Sequence, residues 1–214
     1  MTRLVIFDLD GTLLNTIDDL ATATNWALER QGYPTHELAA YPFFVGNGVA
    51  RLLERALPDG ARTPENVAAL RRDFVDYYDA HGTDLTRPYP GIPELIATLR
   101  ERGVMLAVAS NKYQEATARL IGRYFPAAFR IVLGQREGVA PKPDPSVIWD
   151  ILAATGVAKG EILYVGDSGV DMQTAANAGL ASVGVTWGFR PRAELEENGA
   201  MFLIDRPEQL LTLL

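Results

Sequence analysis

Two carboxylates stand where an apolar strand ends near the start of the chain. Residues 4–7, Leu-Val-Ile-Phe, predict a buried strand, and Asp8, Asp10 and Gly11 follow it closely. Ligands of open α/β sheets bind outside the carboxyl ends of the strands, so we expect both acids at a ligand site. Neighbouring carboxylates repel each other unless they share a proton or hold a cation, for which Mg²⁺ is the natural candidate. The pattern favours a nucleophile beside an acid/base, and a plain Asp-Gly turn is the alternative.

A second apolar run ends in residues that can bind an anion. Residues 104–109 predict another buried strand, and Ser110, Asn111 and Lys112 follow it. The first N–H groups of a helix lack partners and the helix dipole favours negative charge there. We therefore expect the Ser110 hydroxyl and the adjacent amides to form an anion cradle at a helix start; an ordinary serine N-cap is the alternative.

One lysine lies in a segment that prolines make rigid. Lys142 stands between Pro141 and Pro143, and the chain has only three lysines among its 20 basic residues. An ammonium group held in this way suits a phosphoryl oxygen or a carboxylate nucleophile. A solvated loop lysine is the alternative interpretation.

A third predicted strand, residues 162–165, is followed by two more acids. Asp167 comes directly after this strand, and Asp171 lies four residues further, on the same face of a predicted helix. One acid could ligate a metal while the other orients that ligand or its waters. Helix capping explains many such acids taken singly. Helix capping does not explain why residues that can bind a metal ion or a phosphate occur in all four segments. This joint occurrence indicates a single site.

The four segments together resemble the motifs of the haloacid dehalogenase superfamily of phosphotransferases, over essentially the whole chain. Residues 8–12, Asp-Leu-Asp-Gly-Thr, are similar to the first motif, and Ser110 and Lys142 to the second and third. Residues 166–171, Gly-Asp-Ser-Gly-Val-Asp, are similar to the fourth. The resemblance implies a Mg²⁺-dependent phosphatase with a covalent intermediate.

The resemblance also implies a role for each matching residue. Asp8 is the implied nucleophile that forms an aspartyl-phosphate, and Asp10 is the implied acid that protonates the leaving oxygen and then activates water. The residues implied to bind the phosphoryl group are Thr12, Ser110, Asn111 and Lys142. The implied metal ligands are the Asp8 side chain, the Asp10 carbonyl and Asp167. Asp171 is expected to support the metal site without ligating the ion directly.

The segment from residue 15 to residue 87 has a helical pattern, whereas strands and helices alternate after it. Residues 16–30 and 64–81 carry apolar residues at helical spacing, and Pro88 and Pro90 mark the return to alternation. We predict a doubly wound, parallel-sheet, Rossmann-like α/β core of residues 1–14 and 88–214. A smaller all-helical cap, residues 15–87, is expected as an insertion after the first strand.

The predicted cap contains a segment that bears on specificity. Gly46, Asn47 and Gly48 are similar to the cap segment of the phosphoglycolate phosphatases of this superfamily, as is the string of residues 187–190, Trp-Gly-Phe-Arg. Glycines flanking Asn47 allow backbone N–H groups to approach a small carboxylate. A turn before an amphipathic helix is the alternative. We therefore expect 2-phosphoglycolate as substrate, and pyrophosphate, nucleotides, sugar phosphates, a β-phosphoglucomutase-like mutase activity and a catalytically silent binding protein stay open.

Composition narrows the class of partner. The chain has 214 residues, 48% of them hydrophobic, with no cysteine and a net charge of −7. These values are typical of an intracellular enzyme, and they argue against nucleic acid as a partner. No apolar run reaches the length of a membrane span. We expect a cytoplasmic monomer or homodimer that acts on a small phosphorylated metabolite.

Overall fold

A six-stranded parallel sheet forms the centre of the molecule. The computed structural model describes all residues, 1–214. Its strands are β1 Leu4–Phe7, β2 Leu14–Asn15, β3 Arg87–Pro88, β4 Met105–Tyr113, β5 Ile131–Gln135, β6 Ile162–Gly166, β7 Ala181–Val185 and β8 Phe202–Ile204. The strand order in the main sheet is β5-β4-β1-β6-β7-β8, and all its pairs are parallel. This arrangement confirms the predicted doubly wound α/β core.

Nine α-helices surround or extend from this sheet. They are α1 Ile17–Arg30, α2 Tyr41–Phe44, α3 Val49–Ala56, α4 Pro64–His81, α5 Ile92–Glu101, α6 Gln114–Tyr124, α7 Ser146–Thr155, α8 Gly169–Ala178 and α9 Arg192–Glu197. Short 3₁₀ helices span Leu38–Ala40, Asp59–Ala61, Lys159–Glu161 and Pro207–Thr212. None of the helices combines the length and the apolarity needed to cross a membrane.

The central strand β1 is buried on both faces, which explains its unbroken apolar sequence. Val5 and Phe7 belong to the larger apolar cluster on one side of the sheet, and Leu4 and Ile6 to the cluster on the other. The register places Phe7 level with Val108 of β4 and with Val165 of β6. The residues after Phe7 and Val165 and the last residues of β4 therefore lie side by side at one edge of the sheet.

Helices α1 to α4 lie between β1 and β4 in sequence and form an apolar cluster of their own. Leu28 of α1 packs in this cluster with Leu53 of α3 and with Phe74 and Tyr78 of α4. The helical insertion predicted after the first strand is thus confirmed. The chain leaves and re-enters the core through β2 and β3, which pair antiparallel. The domain boundaries at 15 and 87 stay a prediction, and both positions lie on this small sheet.

The helix start predicted at Ser110 is wrong. Strand β4 continues to Tyr113, and α6 begins only at Gln114. The pairing of β4 with β5 shifts between Ala109 and Tyr113. Gly134 of β5 permits this shift, because a Cβ there would stand 2.5 Å from the Lys112 carbonyl oxygen. Ser110 is therefore presented from an irregular strand end and not from a helix N-terminus.

Candidate active site

The two acids after β1 lie at the edge of the sheet where the strand ends are side by side. The Asp8 amide donates to the Val165 carbonyl at 2.9 Å, which continues the β1–β6 ladder by one residue. Gly11 then turns the chain with φ +85, and a Cβ there would lie 2.2 Å from Asp167 Oδ2. The Asp10 carboxylate accepts a hydrogen bond from Thr16 Oγ1 at 2.7 Å. Both acids are thereby fixed beside the end of β6.

Lys142 lies at the centre of the site in a dense set of oxygen atoms. Its Nζ is 2.9 Å from Asp8 Oδ1 and 2.7 Å from Asp171 Oδ1, and it donates to the Ala109 carbonyl at 2.9 Å. Burial alone lowers the pKa of this ammonium, but Asp171 and Asp8 hold the pKa well above its ordinary value. The lysine therefore stays charged in the buried site.

Asn111 holds the Lys142 segment from the neighbouring strand. The Lys142 amide donates to Asn111 Oδ1 at 2.8 Å, and Asn111 Nδ2 donates back to the Lys142 carbonyl at 3.1 Å. The same Nδ2 also donates to the Gly46 carbonyl at 3.1 Å. The Asn111 side chain thus ties the lysine segment to the helical insertion, and its predicted contact with phosphate stays a prediction.

Three acids form a cluster that can hold a metal ion. Carboxylate oxygens of Asp8, Asp167 and Asp171 lie within 4.8 Å of one another. Burial raises the pKa of Asp8 to about 7, and burial together with the Asp171 charge raises the pKa of Asp167 well above its ordinary value. Asp8 Oδ1 also lacks a well-aligned hydrogen-bond donor despite its short distance to Lys142. An oxygen-only, electrostatically strained cluster of this kind fits a hard divalent cation.

The surroundings of Asp167 orient its carboxylate. Thr12 Oγ1 donates to Asp167 Oδ1 at 3.0 Å, and the Phe189 amide donates to Oδ2 at 2.8 Å. Gly188 permits this approach, because a Cβ there would lie 2.2 Å from the Asp167 Cβ. Thr12, predicted to bind phosphate, thus directs its hydroxyl to Asp167 in this structure.

Asp171 serves two purposes at once. Its Oδ2 accepts from the Ser168 amide at 3.1 Å and its own amide donates to Ser168 Oγ at 3.3 Å, which forms a capping box at the start of α8. Its Oδ1 faces Lys142 and accepts from the Tyr164 hydroxyl at 3.1 Å. Helix capping and site chemistry are therefore not alternatives at this residue.

A cavity separates the acids from the helical insertion. The space not occupied by protein atoms amounts to about 490 Å³, and part of this volume is open solvent. From the core, Asp8, Asp10, Ser110 and Lys112 line it. From the insertion, the lining side chains are apolar: Leu20, Val45, Val49, Leu52 and Phe74. The predicted catalytic residues therefore share one cavity with the helices expected to read the substrate.

The glycine segment of the insertion reaches this cavity, but the side chain between the glycines does not. Gly46 and Gly48 line it and adopt φ +115 and +82, a backbone region that favours glycine. Asn47 Oδ1 accepts from Arg55 Nη2 at 2.8 Å and faces a neighbouring groove. Substrate reading by this segment stays a prediction, carried by its backbone.

Comparison with known proteins identifies the family. A model of the haloacid dehalogenase-like hydrolases matches residues 5–185. The chain belongs to this family. It is 34% identical to a phosphoglycolate phosphatase of Pseudomonas putida, over 99% of this chain and 79% of that protein. A phosphoglycolate phosphatase of Haemophilus influenzae is 33% identical, over 99% of this chain and 98% of that protein. A crystal structure from Lactobacillus delbrueckii subsp. bulgaricus superposes with a TM-score of 0.92 at 34% identity, covering 98% and 97% of the two chains.

The sequence of this dehalogenase-like hydrolase did not indicate a role for the side chains of two basic residues of the site. Lys112 Nζ lies 3.1 Å from Asp10 Oδ1, and its side chain is almost fully buried. Arg190 donates from the core to the Val45 carbonyl at 2.8 Å and to the Pro42 carbonyl. The scarcity of lysine in the chain was a usable signal for the first. For Arg190 the sequence carries no signal beyond the resemblance of residues 187–190 to the phosphoglycolate phosphatases.

Arg190 is expected to hold the cavity-lining loop of this hydrolase in place. We expect Arg190→Gln to accelerate amide hydrogen exchange in residues 41–49 by about 10- to 100-fold, because charge-assisted bonds to the loop carbonyls are lost. Exchange followed by mass spectrometry measures this. Arg192→Gln is the matched control, since Arg192 is exposed and pairs only with Glu196 and Asp205. Equal exchange in both variants would contradict the assignment.

The acidic cluster predicts how stability depends on pH. The Asp8 pKa is raised to about 7 in the folded protein, so the folded state binds this proton more tightly than the unfolded chain does. Its stabilising contribution is complete below about pH 4 and is lost as the pH rises through about 7. We expect the melting temperature in chelator to fall between about pH 5 and pH 8 and to recover when a divalent cation is added. The Asp8→Asn variant should show a smaller fall, and an equal fall would contradict this origin.

Proposed function

We propose that this protein is a Mg²⁺-dependent phosphatase that hydrolyses 2-phosphoglycolate through an aspartyl-phosphate on Asp8. The observation that carries the proposal is the juxtaposition of Asp8, Lys142 and the acidic cluster at one sheet edge, where Asp8 also lines the cavity. Asp8, Asp167 and the Asp10 carbonyl would hold Mg²⁺, with Asp171 supporting them. When bound, the ion would neutralise charge on the phosphoryl oxygens.

In the first step, an Asp8 carboxylate oxygen attacks phosphorus and the bond from phosphorus to the ester oxygen breaks. Asp10 gives its proton to the departing oxygen, so the product leaves as an alcohol. Lys142 and Ser110 bind the transferring phosphoryl group, and we propose Thr12 and Asn111 as further members of this phosphate site. The Asn111 bonds that fix the Lys142 backbone support this arrangement.

In the second step, water attacks the phosphorus of the aspartyl-phosphate. Asp10, now deprotonated, accepts the proton of this water, and the bond from phosphorus to the Asp8 oxygen breaks. Phosphate leaves and the Asp8 carboxylate is restored. Thr16 and Lys112, which bind the Asp10 carboxylate, hold it in place for both proton transfers. Two easier displacements thereby replace one difficult one.

The choice of 2-phosphoglycolate rests on two supports. The first is the similarity to phosphoglycolate phosphatases over nearly the whole chain. The second is the lining of the cavity, to which Gly46 and Gly48 contribute backbone and Asp8 and Asp10 contribute carboxylates. A net charge of −7 favours a small metabolite over nucleic acid as partner. The cytoplasmic location and the monomeric or homodimeric state are part of the same proposal.

The test is Mg²⁺-dependent phosphate release, compared as kcat/KM across 2-phosphoglycolate, pyrophosphate, sugar phosphates and nucleotides. We expect 2-phosphoglycolate to exceed each of the others by at least about 10-fold, and release to disappear in chelator. A different preferred ester would overturn the substrate and keep the phosphatase. Interconversion of sugar phosphates would indicate a mutase. No release from any ester would overturn the activity and favour a silent binding protein.

A further inference from the structure

A second buried lysine faces the cavity beside the catalytic acids. Lys112, at the irregular end of β4, has only 7% of its surface exposed. Its Nζ donates to both oxygens of Asp10, at 3.1 and 3.2 Å. The ammonium also lies 4.7 Å from the ring centre of Tyr78, a side chain of α4. A core lysine is therefore enclosed between the proposed acid/base and the helical insertion.

The two buried lysines differ in how many of their protons are engaged. Lys142 Nζ has oxygen atoms of Ala109, Tyr164, Asp171 and Asp8 within 3.0 Å, more acceptors than its three protons. Lys112 Nζ makes well-aligned hydrogen bonds only to the two oxygens of the Asp10 carboxylate, and the Tyr78 hydroxyl is a further polar neighbour. An ammonium carries three donors, so Lys112 keeps capacity for one more acceptor.

Among the residues that line the cavity, positive charge comes from one side chain. This side chain is Lys112, and the side chains contributed by α1, α3 and α4 are apolar. The Tyr78 ring and its buried hydroxyl, which has no well-aligned hydrogen-bond partner, close the space behind the ammonium. An anionic group that enters this partly apolar space meets Lys112 where their attraction is stronger than in water.

We propose that Lys112 binds a carboxylate on the leaving group and so selects esters that carry one. The inference rests on the proposed phosphatase function and names the group that reads its substrate. Asp10 gives its proton to the ester oxygen, and in 2-phosphoglycolate the carboxylate is one methylene away from that oxygen. A cation bonded to Asp10 lies within reach of this carboxylate. Lys112 is thus a specificity residue, distinct from Lys142, which serves the phosphoryl group.

The test compares two esters on the same enzyme preparation. The substrates are 2-phosphoglycolate and 2-hydroxyethyl phosphate, in which a neutral hydroxymethyl group replaces the carboxylate. The measured quantity is the ratio of their kcat/KM values, because loss of Asp10 positioning or of folded protein affects both substrates and cancels. We expect Lys112→Met to lower this ratio by roughly 10- to 100-fold, as for loss of a charge-assisted hydrogen bond. Lys112→Arg should keep most of the preference.

Two further variants complete the design. Lys159→Met removes the same side chain from an exposed position, where Nζ donates to the Ala178 carbonyl, and should leave the ratio unchanged. Lys112→Gln, which keeps a polar side chain without its charge, should resemble Lys112→Met and serves if the latter does not fold. If Lys112→Met and Lys112→Gln both keep the wild-type preference, the proposed role of Lys112 is overturned and the proposed phosphatase function is kept. A wild type that hydrolyses both esters equally would overturn the substrate proposal together with this inference.

Discussion

Replacing Asp8 with Asn is expected to abolish steady-state phosphate release, lowering kcat by on the order of 10⁴- to 10⁶-fold. The amide keeps the shape of the side chain but cannot form the aspartyl-phosphate that the proposed mechanism requires. Release of phosphate from the preferred ester measures kcat. Intact-mass analysis after rapid quenching should detect an added phosphoryl group on the wild type and none on the variant. The matched control is Asp76→Asn, since Asp76 is exposed on α4.

The same substitution separates chemistry from folding. Asp8 is one of three clustered carboxylates, and burial raises its pKa to about 7, so its charge is unfavourable in the metal-free protein. Removing that charge relieves repulsion with Asp167 and Asp171 while it weakens one ion pair of Lys142. We expect the melting temperature of Asp8→Asn in chelator at about pH 8 to equal or exceed that of the wild type. Loss of activity accompanied by a large fall in melting temperature would contradict a purely chemical role.

Replacing Lys142 with Met is expected to destabilise the protein by about 3–5 kcal/mol and to abolish activity. The substitution leaves Asp171, which is fully buried, and Asp8 without the ammonium that both face. Urea unfolding in chelator at about pH 8 measures the free energy. Lys159→Met is the control, because Lys159 is exposed, and it should change stability by much less.

A double variant tests whether uncompensated charge is the cause of this loss. Adding Asp171→Asn to Lys142→Met removes one of the two carboxylates that have lost their cationic partner. Part of the lost stability should therefore return. Activity should not return, since the ammonium that we propose binds the phosphoryl group is still missing. Strictly additive losses in the double variant would show that the two side chains do not act as a pair.

Much of the fold and the core of the site followed from local patterns. Helix α4 spans the residues that the apolar spacing indicates, Pro64–His81. Its start is defined because Thr63 accepts from the Asn66 amide and Pro64 occupies the first turn. The acids after β1 and β6 were predictable for a similar reason. An apolar run that ends in an acid marks the sheet edge, and parallel strands bring such ends together. Their roles in catalysis stay predictions.

The end of β4 is a feature that the local sequence pattern did not predict. The run after Ser110 predicts a helix start, yet the chain stays extended to Tyr113, because β5 offers Gly134 where the two backbones approach closely. This pairing depends on a residue more than twenty positions away, and the side-chain pattern of residues 110–113 does not indicate it. The result is that Lys112 faces Asp10 inside the cavity.

The sequence by itself determined the fold class, the positions of the acids and the presence of a helical insertion, because each depends on hydrophobic periodicity and on residues adjacent in the chain. Only the tertiary structure decided which charges meet. Lys112 faces Asp10, Arg190 holds the loop at Val45, and Asn111 joins Lys142 to the insertion. These contacts join residues 31 to 145 positions apart. Their energies arise from burial and from distance in space, and neither is set by neighbours along the sequence.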